Sequence, residues 1–379
     1  MHILIAPNAF KNSLSAEDAA AAIRKGLQSS KLSCTVTCFP IADGGDGTGS
    51  LIIKQCKGKI IKKEVHDPLG KKIMSQFGLI DKGKTAVIEM ADASGLRLLH
   101  KEGLNPLVAS SYGTGELIRF ALDEGVDKII IAMGGSATVD GGCGILGALG
   151  TSFFDEAGEF LDPVPQSLAN LARVDPSQLD QRIFKCEVVV LCDVNTKLLG
   201  PRGSAAIFGP QKGAGTKEVI KLEKFLNNLD EITYKQTGKR IAAMEYGGTA
   251  GGAAAGLSAF LNAKLVNGIA YFLQITGFEA ELQKCNVLIT GEGSIDAQTL
   301  QGKGPFGVAI QAKLNHIPVI GLAGLVPVEE NAALNKYFDI LMAIGNGETD
   351  LREALKHTAD NLVRTSRIIG DLLVLNKQV

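Results

Sequence analysis

Two acids and a lysine lie among the glycines of residues 284–309, KCNVLITGEGSIDAQTLQGKGPFGVA. They are Glu292, Asp296 and Lys303. Carboxylates on a glycine-rich segment can hold Mg²⁺ or accept a proton, and a lysine beside them can neutralise phosphate oxygens. A tight turn with solvated charges is the alternative for this segment taken alone.

Three further loops place an aspartate among glycines or at the end of a strand. Asp43 lies in ADGGDGTG, Asp140 lies in GGSATVDGG, and Asp193 directly follows the apolar run at residues 187–191. An acid at a strand end is well placed to hold a hydroxyl group or a metal, and a turn-forming aspartate is the alternative. Asp193 is therefore predicted to be the general base or a metal ligand, with Asp43, Asp140 and Asp296 as the other candidates for the base.

Basic residues accompany these acids on glycine loops. Arg202 lies in GPRG, Lys212 lies in FGPQKGA, and Lys11 precedes a helix whose N-terminus is signalled by Ser15. Such cations clamp phosphate or carboxylate oxygens. We predict that Lys11, Arg202 and Lys212 bind these oxygens.

Repeated loops of this kind favour phosphoryl transfer, in which positioning and charge neutralisation dominate catalysis. The sequence holds no His-Glu-x-x-His spacing, which gives no support to a zinc site. The pattern G-x-G-x-x-G does occur at residues 142–147, but it does not directly follow its strand and is not interpreted as a dinucleotide site. The residues alone predict a phosphoryl-transfer or phosphate-binding α/β enzyme.

The elements that position these loops follow from hydrophobic periodicity. Buried strands are predicted at residues 2–6, 35–41, 128–133, 187–191, 287–290, 318–323 and 339–344. The strand at 287–290 is expected to end where a loop begins at Gly291, and a helix is expected after Pro305. Residues 60–90 alternate and predict an antiparallel meander, in contrast with the βα units before it. We therefore place a domain boundary near residue 62.

Composition narrows the class of protein. The chain has 379 residues with a formal charge of -1 and no Trp, which offers neither an electrostatic case for nucleic acid or membrane binding nor a stacking platform. Seven cysteines without a Cys-x-x-Cys pair indicate reduced thiols, and no signal peptide is apparent. We expect a cytoplasmic enzyme with small-molecule partners. A homo-oligomer is compatible with this composition.

The order of the motifs resembles that of the type I glycerate kinases. APNAFKNSLSA is similar to the family's APDSFKxSLSA opening, ADGGDGT to ADGGEGT and GGSATVDGG to GGSATNDGG, while SYGTGELI matches directly. CDV, GPRG, FGPQKGA and ITGEGSIDAQTLQGKGPFGVA follow in the family's order, so the resemblance is nearly full length. The chain departs from the pattern at Asn8, Ala9, Ser294 and Ala297, where the family usually has Asp, Ser, Arg and Gly.

The resemblance implies a fold, substrates and a reaction. It implies two α/β domains, one flavodoxin-like with a parallel sheet and one inserted with a mixed sheet, and an active site in the cleft between them. With the boundaries above, the first domain comprises residues 1–62 and 283–379 and the second residues 63–282. It also implies ATP and Mg²⁺, and phosphorylation of glycerate, with 2-phosphoglycerate as the favoured product. A kinase for another small hydroxy acid and a catalytically weak sensor of a phosphorylated acid are the alternatives.

The predicted site residues combine both lines of reasoning. Asp193, Lys11 and Asp296 are the predicted catalytic residues, and Glu292, Asp43 and Asp140 the predicted metal ligands. Substrate or phosphate oxygens are assigned to a larger set: Ser13, Arg202, Lys212, Ser136, Thr138, Gly291, Gly293 and Lys303.

Overall fold

The structure, a computed structural model, describes residues 1–329, 331–345 and 350–375. The chain forms two compact units, one comprising Met1–Asp43 and Ile269–Val379, the other Gly44–Gly268. Among the described residues, no helix combines the length and apolar character needed to span a membrane.

The strands share a short length that is typical of α/β proteins. In chain order they are β1 His2–Ile5, β2 Thr35–Cys38, β3 Lys59–His66, β4 Lys72–Ile80, β5 Thr85–Glu89, β6 Lys128–Ala132, β7 Ser152–Phe154, β8 Arg173–Asp175, β9 Glu187–Cys192, β10 Lys264–Asn267, β11 Val287–Ser294, β12 Val319–Leu325 and β13 Ile340–Ala343.

The helices range from single turns to the long surface helices α7 and α14. In chain order they are α1 Ala16–Gln28, α2 Thr48–Gln55, α3 Ala91–Ser94, α4 Tyr112–Asp123, α5 Cys143–Ala148, α6 Ser204–Phe208, α7 Thr216–Thr237, α8 Ala253–Leu261, α9 Gly268–Ile275, α10 Phe278–Leu282, α11 Gly304–Leu314, α12 Ala332–Asn335, α13 Leu351–Lys356 and α14 Thr358–Leu375.

A parallel sheet forms the centre of the first unit, in the order β2-β1-β11-β12-β13. Numbered within the unit, this is the order 2-1-3-4-5 of flavodoxin-like folds, so the predicted fold of this domain is confirmed. The strand order reverses between β1 and β11. In open α/β sheets, ligands bind at the carboxyl ends of the strands beside such a reversal.

Helix α1 shows how local sequence builds this unit. The Ser15 side chain accepts a hydrogen bond from the Asp18 backbone N–H, which caps the helix as the sequence predicts. The buried face of α1 is rich in alanine and packs against α14. The helix therefore begins where the loop carrying Lys11 ends.

A mixed sheet forms the centre of the second unit, in the order β3-β4-β5-β6-β9-β10. Strands β3, β4 and β5 pair antiparallel and confirm the predicted meander, while β5, β6, β9 and β10 are parallel. The carboxyl ends of four parallel strands therefore meet at one edge. Sequence periodicity did not find β10 or the two-stranded antiparallel sheet of β7 and β8, because these strands are too short to show a period.

Strand β11 corrects one prediction. It does not end at Thr290 but continues through Glu292 to Ser294, pairing with β12 as far as Leu325. A Cβ atom on Gly291 would lie 2.2 Å from the Leu322 carbonyl oxygen, so glycine here permits close strand packing and does not mark a turn. Glu292 consequently projects from a rigid strand.

The second unit begins earlier than residue 62. The loop that follows Asp43 and helix α2 belong to this unit, because α2 packs against β4 and β5. The predicted boundary near residue 62 assigned them to the first domain. Helix α2 is thereby tied to the sheet whose carboxyl edge carries Asp193.

Candidate active site

The first unit gathers charged residues beside the reversal of strand order. The Asn8 backbone N–H donates to the Gly291 carbonyl over 2.8 Å, which fixes the segment after β1 against β11. Gly304, the first residue of α11, lies close to the Asn8 side chain. The segment after β1 therefore lies beside both β11 and the start of α11. This is the arrangement expected at a reversal of strand order.

Glu292 is the most buried acid of this group, with 7% of its surface exposed. Its Oε1 accepts a hydrogen bond of 3.0 Å from the Thr299 hydroxyl. The pKa of Glu292 is raised to about 7, chiefly by burial; Lys303 and the Thr299 hydrogen bond oppose the rise, and the charges of Asp43 and Asp296 contribute to it. The carboxylate is thus electrostatically coupled to two other acids and one lysine of the same unit.

Asp43 is held by the residue that replaces the family's usual aspartate. The Asn8 Nδ2 donates to Asp43 Oδ2 over 2.9 Å, and the Gly304 N–H donates to the same oxygen over 3.2 Å. An aspartate at position 8 would turn this donor into an acceptor and place two carboxylates together. Asn8 therefore replaces a pair of carboxylates, which would need a proton or a cation between them, with a hydrogen bond to Asp43.

A substitution at position 8 tests this pairing. We expect Asn8→Asp to lower Tm by about 2–4 °C, equivalent to roughly 1 kcal/mol, because like charges meet in a half-buried place. Mg²⁺ is expected to restore the lost stability by binding between the carboxylates. Thermal unfolding with and without Mg²⁺ measures both effects.

Asn315 provides the matched control, since its Nδ2 also donates to an acid, Glu279, at the surface of the same unit. Asn315→Asp is expected to lose less stability, because water screens the pair, and to show no recovery with Mg²⁺. An Asn8→Asp chain with unchanged Tm, or with no response to Mg²⁺, would contradict the pairing of residues 8 and 43.

The other predicted residues of the first unit have different surroundings. Asp296 accepts from the Gln298 N–H over 2.8 Å and from the Ser294 hydroxyl over 3.3 Å, so it organises the turn after β11. Lys303 is half-buried at the N-cap of α11. Lys11 is exposed in a turn, and the Ser13 hydroxyl donates to the Leu355 carbonyl over 2.6 Å. For Ser13 this contact accounts for the hydroxyl structurally, and its role in binding phosphate stays a prediction.

Gly293 lies near Lys11, since a Cβ on Gly293 would be 3.8 Å from the Lys11 backbone nitrogen. The Ser294 hydroxyl replaces the family's usual guanidinium and donates to Asp296. Thus Asn8 and Ser294, the two departures that remove opposite charges, each make a hydrogen bond to an acid of this group.

A buried lysine marks the second unit. Lys212 is 2% exposed, and its Nζ donates to the Ser136 hydroxyl over 2.9 Å and to the Thr138 carbonyl over 2.7 Å. Burial lowers the pKa of Lys212 to about 7, while the charges of Asp140 and Asp193 oppose the shift. Three residues predicted separately to bind substrate, Lys212, Ser136 and Thr138, therefore form one cluster at the end of β6.

The Thr138 hydroxyl in this cluster is fully buried and has no hydrogen-bond partner within residues 1–329, 331–345 and 350–375. Leaving a buried hydroxyl without a partner costs free energy, so such a group in a native fold calls for an explanation. Binding of a substrate or phosphate oxygen, as predicted for Thr138, would give this hydroxyl a partner, and that role stays a prediction.

Asp193 directly follows β9 at the carboxyl edge of the mixed sheet and is half-buried. Its charge acts on Lys212, which places the carboxylate near the buried ammonium. A carboxylate at such a position can serve as a general base. This position agrees with the one expected from the sequence, and its catalytic role stays a prediction.

Asp140 has a different environment. It is fully buried, and its oxygens accept from the Ser111 N–H, the Ser111 hydroxyl, and the N–H groups of Gly142 and Gly144 at 2.7–3.2 Å. Burial raises its pKa, and these hydrogen bonds oppose the rise. The contacts are those of a carboxylate that organises a loop, and they lend no support to the metal role predicted for it. Arg202, by contrast, is exposed in the turn before α6.

Two residues of this edge were missed by sequence reasoning. Glu89, at the end of β5, is 2% exposed, and Arg97 binds both Asp46 and Asp92. Glu89 closes the run TAVIE, where an acid reads as a solvated strand end. Its apolar neighbours on both sides were the only available signal that it is buried.

The structure also limits how a metal could bind. Within the described ranges, no three His, Cys, Asp or Glu side chains form a group that could hold a metal ion by themselves. Mg²⁺ is usually bound through one or two carboxylates, with waters and substrate phosphates completing its shell. Glu292 and Asp43 are two acids whose negative charges repel each other, and they fit that partial set of ligands.

Comparison with known proteins gives a consistent result. The model of the glycerate kinase family matches residues 3–374. The chain is 42% identical over 377 residues to a glycerate kinase of Bacillus subtilis (strain 168), covering 100% of this chain and 99% of the relative. It is 41% identical over 379 residues to a glycerate 2-kinase of Escherichia coli (strain K12), covering 99% and 98%. A crystal structure of a candidate glycerate kinase 2 from Salmonella typhimurium LT2 superposes with a TM-score of 0.84 at 38% identity, covering 100% of both chains.

Proposed function

The chain belongs to the glycerate kinase family, and on that premise we propose that it transfers the γ-phosphoryl group of ATP to the 2-hydroxyl of glycerate. The observation that carries this conclusion is the match of the family model over residues 3–374, which includes every strand-end loop described above. The products are 2-phosphoglycerate and ADP. The buried Lys212 cluster and the acids around Glu292 supply the charges that such a transfer needs.

Asp193 is the general base in this proposal. As the 2-hydroxyl oxygen of glycerate forms its bond to the γ-phosphorus, the bond from phosphorus to the β,γ-bridging oxygen breaks and ADP leaves. The hydroxyl proton passes to the Asp193 carboxylate. The position of Asp193 at the end of β9, near the Lys212 ammonium, supports this assignment.

The basic residues bind anionic oxygens. Lys212 provides an ammonium group in a dry environment, where a charge-assisted hydrogen bond to a carboxylate or phosphate is strong, and it lies against the Ser136 hydroxyl and the Thr138 carbonyl. Lys303 at the N-cap of α11 and the exposed Lys11 bind phosphate oxygens. Arg202, being exposed, contributes charge at longer range.

Glu292 and Asp43 are the residues that would hold Mg²⁺, with Asp296 as a neighbouring acid. Bound Mg²⁺ would neutralise charge on the phosphate oxygens of ATP. The mutual repulsion of these acids and the hydrogen bonds that fix Asp43 support this choice. Asp140 organises its own loop instead, as its four hydrogen bonds suggest.

Small molecules are the partners of this enzyme in the proposal, and the reducing cytoplasm is its compartment. All seven cysteines are free, and the formal charge of -1 provides no attraction to nucleic acid. A homo-oligomer stays compatible with the composition.

A coupled assay of ADP release over a panel of small hydroxy acids tests the function. We expect turnover with glycerate, and kcat/KM values for lactate, glycolate and malate at least ~10-fold lower, because a site built around one acid loses contacts with the others. A higher kcat/KM for another acid would make the chain a kinase of that acid. Binding of a phosphorylated acid without any turnover would indicate a sensor.

A further inference from the structure

Glu89 occupies the anion position at the start of helix α2. Its Oε1 accepts from the Gly47 N–H over 2.8 Å, and its Oε2 accepts from the N–H groups of Gly49 and Ser50 over 2.7 and 3.4 Å. Gly47, the N-cap of α2, has no side chain of its own to cap the helix. The N–H groups of Gly47, Gly49 and Ser50 at the start of α2 are therefore not presented to a phosphate, because a carboxylate from β5 already binds them.

The 44–47 loop packs against two strand ends that carry site residues. The Gly134 N–H donates to the Gly44 carbonyl over 3.1 Å, and a Cβ on Gly134 would lie 2.1 Å from the Gly45 carbonyl carbon. A Cβ on Gly44 would lie 3.0 Å from the Cys192 carbonyl carbon and 3.1 Å from the Asp193 nitrogen. If the loop shifts, it must therefore displace the backbone that leads to Ser136 or to Asp193.

The exposed side of the same loop is tied down by a second contact. The Arg97 guanidinium donates to Asp46 Oδ1 over 2.9 Å, and it also binds Asp92. Arg97 follows Gly95, which forms a β-bridge with Ser136. Glu89 thus binds the loop on its buried side, and Arg97 binds it on its solvent-exposed side.

We propose that Glu89 is a positioning residue for phosphoryl transfer, which fixes the 44–47 loop and through it the backbone at Ser136 and Asp193. This inference rests on the proposed function. Glu89 acts through the loop, since its oxygens are taken by three backbone N–H groups.

The energetic cost of burying Glu89 supports a role beyond packing. The pKa of Glu89 is raised to about 7, chiefly by burial, with a contribution from the charge of Asp46, and the three backbone hydrogen bonds oppose the rise. Arg97 and Asp92 are the other charged groups on this side of the loop. A neutral capping residue would satisfy the same amides at lower cost.

Glu89→Gln tests the proposal with little change in shape. One acceptor oxygen becomes an NH₂ group that faces a backbone N–H, so the loop loses at least one hydrogen bond. We expect kcat with glycerate to fall by on the order of 10-fold or more, since small displacements of catalytic groups have large effects on rate. Hydrogen–deuterium exchange at residues 44–50 is expected to rise in the same variant.

Glu187→Gln is the matched control. Glu187 is the first residue of β9, at the amino ends of the parallel strands of the same sheet, and it pairs with Lys128 and Lys264. Its substitution is expected to leave kcat and the exchange of residues 44–50 unchanged.

Arg97→Gln releases the loop from its exposed side, does not disturb the core, and is expected to lower kcat several-fold.

Normal kcat in Glu89→Gln, or unchanged exchange at residues 44–50, would overturn the proposal. Should Glu89→Gln fail to fold, normal kcat in Arg97→Gln would overturn it instead. The exchange measurement does not depend on turnover, so it separates this inference from the proposed function. A wild-type chain without glycerate kinase activity would refute only the latter.

Discussion

Asp193→Asn is expected to lower kcat with glycerate by on the order of 10²-fold or more while the fold stays intact. The amide keeps the shape of the side chain but cannot take the proton of the substrate hydroxyl. Asp193 is positioned by β9, a buried strand of the mixed sheet, so the substitution leaves the core unchanged. Steady-state kinetics together with a thermal unfolding curve measure the two parts of this result.

Asp175→Asn is the matched control for that experiment. Asp175 is also a strand-ending aspartate of the second unit, on the small two-stranded sheet of β7 and β8, where it pairs with Arg173. It is expected to retain normal turnover. Near-normal turnover in Asp193→Asn would assign Asp193 to a turn-forming role and would move the base to Asp43, Asp140 or Asp296.

Lys212→Met is expected to reduce kcat/KM for glycerate by about 10²-fold, since it removes a desolvated ammonium group while keeping an unbranched side chain. The loss should be similar at low and high salt because Lys212 is buried and poorly screened. Lys217→Met, at an exposed position near the start of α7, is the control and is expected to change kcat/KM little.

The pH dependence of the wild-type chain follows from the same residue. The pKa of Lys212 is about 7, so the ammonium form predominates below that pH and is lost above it. We therefore expect KM for the anionic substrate to rise as pH increases above about 7, and this rise to be absent in Lys212→Met.

The effect of Lys212 on stability has the opposite sign. Between about pH 7 and the ordinary lysine pKa of 10.5, the unfolded chain binds more protons than the folded chain, so the contribution to stability rises with pH. Below about pH 7 the buried ammonium costs stability. Lys212→Met is thus expected to be more stable than the wild type at low pH, as measured by urea unfolding.

Unchanged KM and kcat in Lys212→Met would contradict the role of Lys212 in substrate binding.

Local signals were sufficient to predict the elements that depend on nearby residues. Ser15 with acids in the next turn predicted the start of α1, and alternation predicted the meander at residues 60–90. Asp193 was found because an acid directly after an apolar strand projects at the sheet edge in any α/β fold. These inferences needed no knowledge of distant contacts.

The features that were missed depend on residues far apart in the chain. Gly291 reads as a turn until β12 is placed beside it, because the Leu322 carbonyl leaves no room for a Cβ. The partners of Glu89 lie some forty residues earlier, and Lys212 is buried by Ser136 and Thr138, more than seventy residues before it. Burial of a charge is a tertiary property, so neither periodicity nor motif spacing could reveal it.

An enolase-coupled assay tests the central claim most directly. Enolase dehydrates 2-phosphoglycerate but does not act on 3-phosphoglycerate, so it identifies the hydroxyl that receives the phosphoryl group. With ATP, Mg²⁺ and glycerate, we predict formation of phosphoenolpyruvate when only this chain and enolase are present. ADP release without phosphoenolpyruvate, until a phosphoglycerate mutase is added, would place the phosphoryl group on the 3-hydroxyl and contradict the proposal.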